Sequence, residues 1–174
     1  LENLIPERHL DSINPAWTNA DTYPQGHGTP MAGLALYGDL SDALGSAERI
    51  QIYHHLESIK FISHNVANDP DLYGAITQEA VARGVILNPD NKRIVCMAVT
   101  GEHIHKGRPS SWSSAIDQTV FGSIEEPNNQ LLFFISSGNM QLEEQINYPL
   151  ANDDNSIQDP AQSFNAITVG AYTL

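Results

Sequence analysis

Basic residues are scarce in this chain. Eight Lys and Arg stand against 21 Asp and Glu, for a net charge of −13. That balance excludes nucleic acid as a partner, since a phosphate backbone demands a basic face, and it argues against anionic membrane surfaces. Long apolar runs are missing too: none approaches the roughly 20 residues of a membrane span, and Leu1 to Leu10 does not read as a secretory leader. The single cysteine, Cys96, excludes an internal disulfide. Its place in Ile94-Val95-Cys96-Met97-Ala98-Val99 predicts a small buried hydrophobe. No repeat, low-complexity tract or linker interrupts the 174 residues, so a single domain over 1–174 is expected. The 41% hydrophobic and 17% charged content is that of a globular chain, which at this size buries about 70% of its unfolded surface.

Ligand signatures are equally thin. No Gly-x-Gly-x-x-Gly follows a predicted strand, which removes a dinucleotide fold. There is no Cys pair and no His-Glu-x-x-His. The pairs His54-His55 and His103 with His105 have no third ligand at suitable spacing, so no metal and no cofactor is expected. Asn152-Asp153-Asp154-Asn155 is acidic enough to attract calcium but lacks the periodic ligands and terminal glutamate of a calcium loop. Trp17 and Trp112 read as packing residues.

What is present is an alternation of helices and strands. His27 to Tyr37 predicts a helix, with Pro30 tolerated in its first turn and Gly38 ending it. Ile50-Gln51-Ile52-Tyr53 and Ser58-Ile59-Lys60-Phe61-Ile62 predict strands. Asp71 to Arg83 predicts a helix with Leu72, Ile76 and Ala80 or Val81 on one face. Ile94 to Thr100 predicts a buried strand. Ser110 or Ser111 caps a helix running to about Ile124, with Trp112, Ala115, Ile116 and Val120 inward. Leu131 to Ile135 is an apolar run suited to a strand buried on both faces. A polar loop follows from Gln141 to Gln162, then a strand from Ala166 to Tyr172. Strand, helix, strand in repetition implies an α/β chain with a parallel sheet and right-handed crossovers.

Two motifs carry chemistry. Gln25-Gly26-His27-Gly28-Thr29 places one imidazole between two glycines at the start of a small-residue helix, where missing side chains leave a substrate backbone room to approach. Leu131-Leu132-Phe133-Phe134-Ile135-Ser136-Ser137-Gly138-Asn139 is a strand ending in small polar residues. Beyond the carboxyl ends of such strands ligand chemistry gathers, and the Asn139 amide would meet a developing negative charge there.

Together with Val99-Thr100-Gly101, Ile157-Gln158-Asp159-Pro160-Ala161-Gln162-Ser163 and Phe164-Asn165-Ala166-Ile167-Thr168-Val169-Gly170-Ala171, these motifs resemble the subtilisin-like serine peptidases, in order and over nearly the whole chain. Gly33-Leu34-Ala35-Leu36-Tyr37-Gly38-Asp39-Leu40 resembles a bacterial branch of that family. The resemblance implies a three-layer fold with a mostly parallel sheet flanked by helices. It implies a serine endopeptidase acting on protein or peptide substrates, with His27 as base and Asn139 as oxyanion donor. Val99, Thr100 and Gly101, with Ser136, Ser137 and Gly138, would line the pocket for the residue before the scissile bond. Calcium is a further implied ligand, as is a cytoplasmic setting.

The family's aspartate sits in Asp-Ser/Thr-Gly and its serine in Gly-Thr-Ser, and neither tripeptide occurs here. Asp11 and Asp21 lack the glycine, and there is no Gly-x-Ser-x-Gly elbow. The triad's aspartate and serine are therefore expected outside these 174 residues, leaving the isolated chain inactive. The other reading of the same residues is a subtilase-like module that binds without catalysis.

Overall fold

The computed structural model describes residues 5–21, 26–63, 66–101, 106–122 and 131–171. The chain is α/β, and every strand pair among the described residues is parallel. It divides into two compact units, Leu1–Asp69 with Glu79–Asn91, and Pro70–Gln78 with Lys92–Leu174.

In the first unit, β1 (Leu10–Ser12) pairs with β2 (Ser58–Lys60), Leu10 opposite Ser58 and Ser12 opposite Lys60. Helix α1 (Gly28–Tyr37) starts just after His27. It ends at Gly38, whose φ of 66° only glycine adopts freely and whose N–H reaches the Leu34 carbonyl at 2.9 Å. Asp39 then caps α2 (Leu40–Gly45) by accepting the Ser41 N–H at 2.8 Å. That bond holds the Asp39 carboxyl below its ordinary value. The predicted strand at Ile50 to Tyr53 does not form. Its apolar residues alternate, but no neighbouring strand among the described residues supplies a ladder, and Tyr53 is exposed.

Helix α3 (Tyr73–Leu87) begins later and runs further than its apolar spacing predicted. Leu72 lies in a preceding 3-10 turn and is exposed. Of the predicted face Ala80 is buried and Ile76 half-buried, and the rest of the buried stripe is made of small residues, Gly74, Thr77 and Gly84. Close approach explains the choice: a Cβ on Gly74 would stand 2.9 Å from that of Ala115. In the first unit, Arg83 donates to Asp11 at 3.2 Å and to the Ile13 carbonyl at 3.3 Å, tying the helix to β1.

The second unit holds the sheet β3-β4-β5, formed by Ile94–Met97, Leu132–Ser136 and Ile167–Val169. Val95 stands opposite Phe133, Met97 opposite Ile135, and Ile135 opposite Thr168. Helix α4 (Ser111–Phe121) is capped by Ser110, whose hydroxyl accepts the Ser113 N–H while the Ser113 hydroxyl takes the Ser110 N–H. Trp112 and Ile116 are buried as predicted, and the Trp112 indole donates to the Thr77 hydroxyl at 2.8 Å.

The sheet departs from expectation on one side. Met97, Phe133 and Ile135 share a buried face, with Phe133 at 0% exposure, whereas Ile94 on the opposite face is 69% exposed. Strand alternation assigns Cys96, Leu132, Ile167 and Val169 to that open face. Cys96 is therefore exposed and not a buried hydrophobe, and among the described residues β4 is fully buried on one side only, with Phe134 on the other half-buried. The polar loop after β4 contains two short helices, α5 (Leu142–Gln145) and α6 (Ala151–Asp154), the latter taking up the acidic Asn152-Asp153-Asp154. No described helix is long and apolar enough to cross a membrane.

Candidate active site

His27 occupies the cap position of α1 with helical dihedrals, and its side chain does not cap the helix. The first-turn N–H groups therefore need another acceptor. Asp21 supplies it from eight residues upstream: its Oδ2 accepts the Thr29 N–H at 2.7 Å and the Thr29 hydroxyl at 2.9 Å. The carboxylate lies over the glycines on either side of His27. A Cβ on Gly26 would meet Asp21 Oδ2 at 3.5 Å, and one on Gly28 would meet it at 3.4 Å. Gly26 also has a φ of 65°, which disfavours any other residue. Both distances are ordinary contacts, so of the two glycines only Gly26, by its positive φ, is required by the backbone. The loop leading to Asp21 is held by Lys60, whose ammonium donates to the carbonyls of Thr18 at 3.1 Å and Ala20 at 2.8 Å. His27 is exposed.

The second group of predicted residues gathers at the carboxyl ends of β3 and β4. Val99, Thr100 and Gly101 follow β3, and Ser136, Ser137, Gly138 and Asn139 close β4. The Ser137 N–H still reaches the Val169 carbonyl at 2.9 Å, after which the chain leaves the sheet. Gly138 turns it with a φ of 106°. Asn139 is exposed, and its carboxamide makes no hydrogen bond within the described residues.

These strand ends are joined by a residue of the predicted polar loop. Gln158 accepts the Thr100 hydroxyl at 2.5 Å through Oε1 and donates through Nε2 to the Asn139 carbonyl at 2.8 Å. Its backbone N–H meets the Ser137 carbonyl at 2.9 Å. The next residue anchors the segment: the Gly101 N–H meets the Asp159 carbonyl at 2.7 Å, and Asp159 Oδ1 accepts from Ser110 and Gln162. Local periodicity could not have found this link. The one available signal was the stretch Ile157 to Ser163, which the resemblance includes.

Other candidates resolve simply. His54 donates to the Ala35 carbonyl at 2.8 Å, and the ring of its neighbour His55 meets that of His9 edge-on at 5.9 Å. The adjacent histidines therefore serve different partners. His103 and His105 lie outside the described residues. Among the described residues no group of three or more His, Cys, Asp or Glu is placed to hold a metal ion. Asp11 is committed to Arg83, and Asp21 to Thr29.

Compared with known families, the chain matches the model of the subtilase family, peptidase family S8, over residues 3–174. No curated protein and no solved structure matches it. The match spans both the His-Gly-Thr helix start and the Ser-Ser-Gly-Asn strand end. The chain belongs to the subtilase family of serine peptidases.

Proposed function

We propose that this chain supplies the general base and an oxyanion donor of a serine endopeptidase, whose triad aspartate and serine come from polypeptide outside these 174 residues. His27 takes the proton of the attacking serine hydroxyl and returns it to the leaving amine. The Asn139 amide donates to the oxygen of the tetrahedral intermediate, where negative charge develops. Val99 to Gly101 and Ser136 to Gly138 line the pocket for the substrate residue before the scissile bond. Asp21 accepts from the Thr29 N–H and hydroxyl at the start of the helix that carries His27.

The observation that carries this reading is the exposed Asn139 carboxamide, unbonded on a backbone held in place at a strand end, within a chain that the subtilase model spans. The test is peptide hydrolysis by the protein that carries this chain. His27→Ala is expected to lower kcat about a millionfold and Asn139→Ala about a hundred- to a thousandfold. Both figures are subtilisin's own, carried over from the family. A fluorophosphonate probe is expected to label that protein and to leave the isolated 174 residues unlabelled. Undiminished hydrolysis by His27→Ala overturns the assignment.

A further inference from the structure

We propose that Gln158 is a positioning residue of the oxyanion site, one carboxamide that locks the ends of β3 and β4 together and fixes the backbone that presents Asn139. The inference rests on the reading of Asn139 as oxyanion donor.

The need for such a residue follows from where the ladder stops. The pairing of β3 with β4 ends at Met97 and Ile135, and that of β4 with β5 ends at Ser136 and Val169. Asn139 stands three residues past the last paired position, beyond a glycine at φ 106°. A glycine in that region has the widest conformational freedom of any residue, so its setting must be imposed from outside. Gln158 imposes it in two ways. Its Nε2–H holds the carbonyl of Asn139 itself, and its aliphatic stem lies so close to Gly138 that a Cβ there would stand 2.4 Å from Cγ and Cδ. The same carboxamide accepts from Thr100 across the gap, so the Asn139 backbone is referred to β3 as well as β4.

The chemistry of the amide matters. A carboxamide both accepts and donates, and here each function is used on a different strand end. Glutamate would keep an acceptor for Thr100 but lose the donor to the Asn139 carbonyl and set a carboxylate against it. Methionine would keep the stem and lose both bonds. Gln158 touches no reacting atom in this scheme. It acts through Asn139, because an oxyanion donor works by being preorganised and a misplacement of about 1 Å costs on the order of a hundredfold.

The experiment measures kcat and KM on one peptide for Gln158→Met and Gln158→Glu, each in the wild-type and the Asn139→Ala background of the active protein, with thermal unfolding to confirm the fold. Both variants are expected to lower kcat about 10- to 100-fold with KM changed less than about threefold. In the Asn139→Ala background both losses are expected to vanish, since groups that act as a unit are non-additive.

Unchanged kcat in both Gln158 variants overturns the inference and leaves the role of Asn139 standing. Losses that multiply with that of Asn139→Ala overturn it as well, because Gln158 would then act through something else. If Asn139→Ala alone leaves kcat unchanged, the oxyanion reading falls on that measurement and takes this inference with it. Should Gln158→Met fail to fold, Gln158→Glu decides the same question.

Discussion

The two faces of the β3-β4-β5 sheet are built from the same strands and the same class of residue, yet they meet different surroundings. Met97, Phe133 and Ile135 are buried, while Ile94, Leu132, Ile167 and Val169 one position away are exposed. Parallel sheets are ordinarily covered on both sides, which is why their strands read as unbroken apolar runs. β4 has such a run, and it predicted two-sided burial. Composition within a strand records what a face can tolerate. Whether anything packs there depends on other elements, and among the described residues only one face has a cover.

Variants on the two faces test that contrast directly. The largest effect is expected on the covered side, where Phe133→Ala should lower unfolding free energy by about 3–5 kcal/mol, read by denaturant titration of the protein. Next is Ser110→Ala, which removes the cap of α4 and a bond to Asp159 and should cost about 1–2 kcal/mol in the same assay. On the open side, Ile94→Ala should change stability by no more than about 0.5 kcal/mol. A loss comparable to that of Phe133→Ala would show that this face is covered in the protein.

Cys96 reports on the same question without a mutation. Exposed on the open face, it should react with a thiol reagent in the native state. Protection until unfolding would break the contrast. The smallest effect belongs to neither face. Asp39 caps α2 with a carboxyl whose value in the fold is lowered from 3.8. Its stabilising share is therefore present above pH 3.8 and lost as pH falls through the lowered folded value. An NMR titration of its carboxyl carbon should show a midpoint below 3.8.

Legibility of the chain followed range. Helix α4 and its Ser110 cap were readable because a cap and an amphipathic stripe are local patterns. So was the end of α1 at Gly38. Helix α3 was readable as a helix with Ala80 inward, but not the rest of its buried stripe, Gly74, Thr77 and Gly84, whose value lies in close approach and not in hydrophobicity. Ile50 to Tyr53 alternates as a strand does, but a strand needs a neighbour, and the pattern carries no information about one. At the candidate site, His27 and Asn139 stood out because each lies in a compact motif. Asp21 and Gln158 did not, since their partners are 8, 19 and 58 residues away.

From the order of its residues alone, this protein's class as an α/β chain and its likeness to the subtilases could be stated, and a candidate imidazole and carboxamide named. Those rest on short-range patterns that any chain with this spacing displays. Folding in three dimensions decided which side of the sheet is covered, that the Asp21 carboxylate accepts from Thr29 at the start of α1, and that Gln158 ties the Asn139 backbone to Thr100. Each of these depends on groups far apart in the chain, and only packing determines which of them meet.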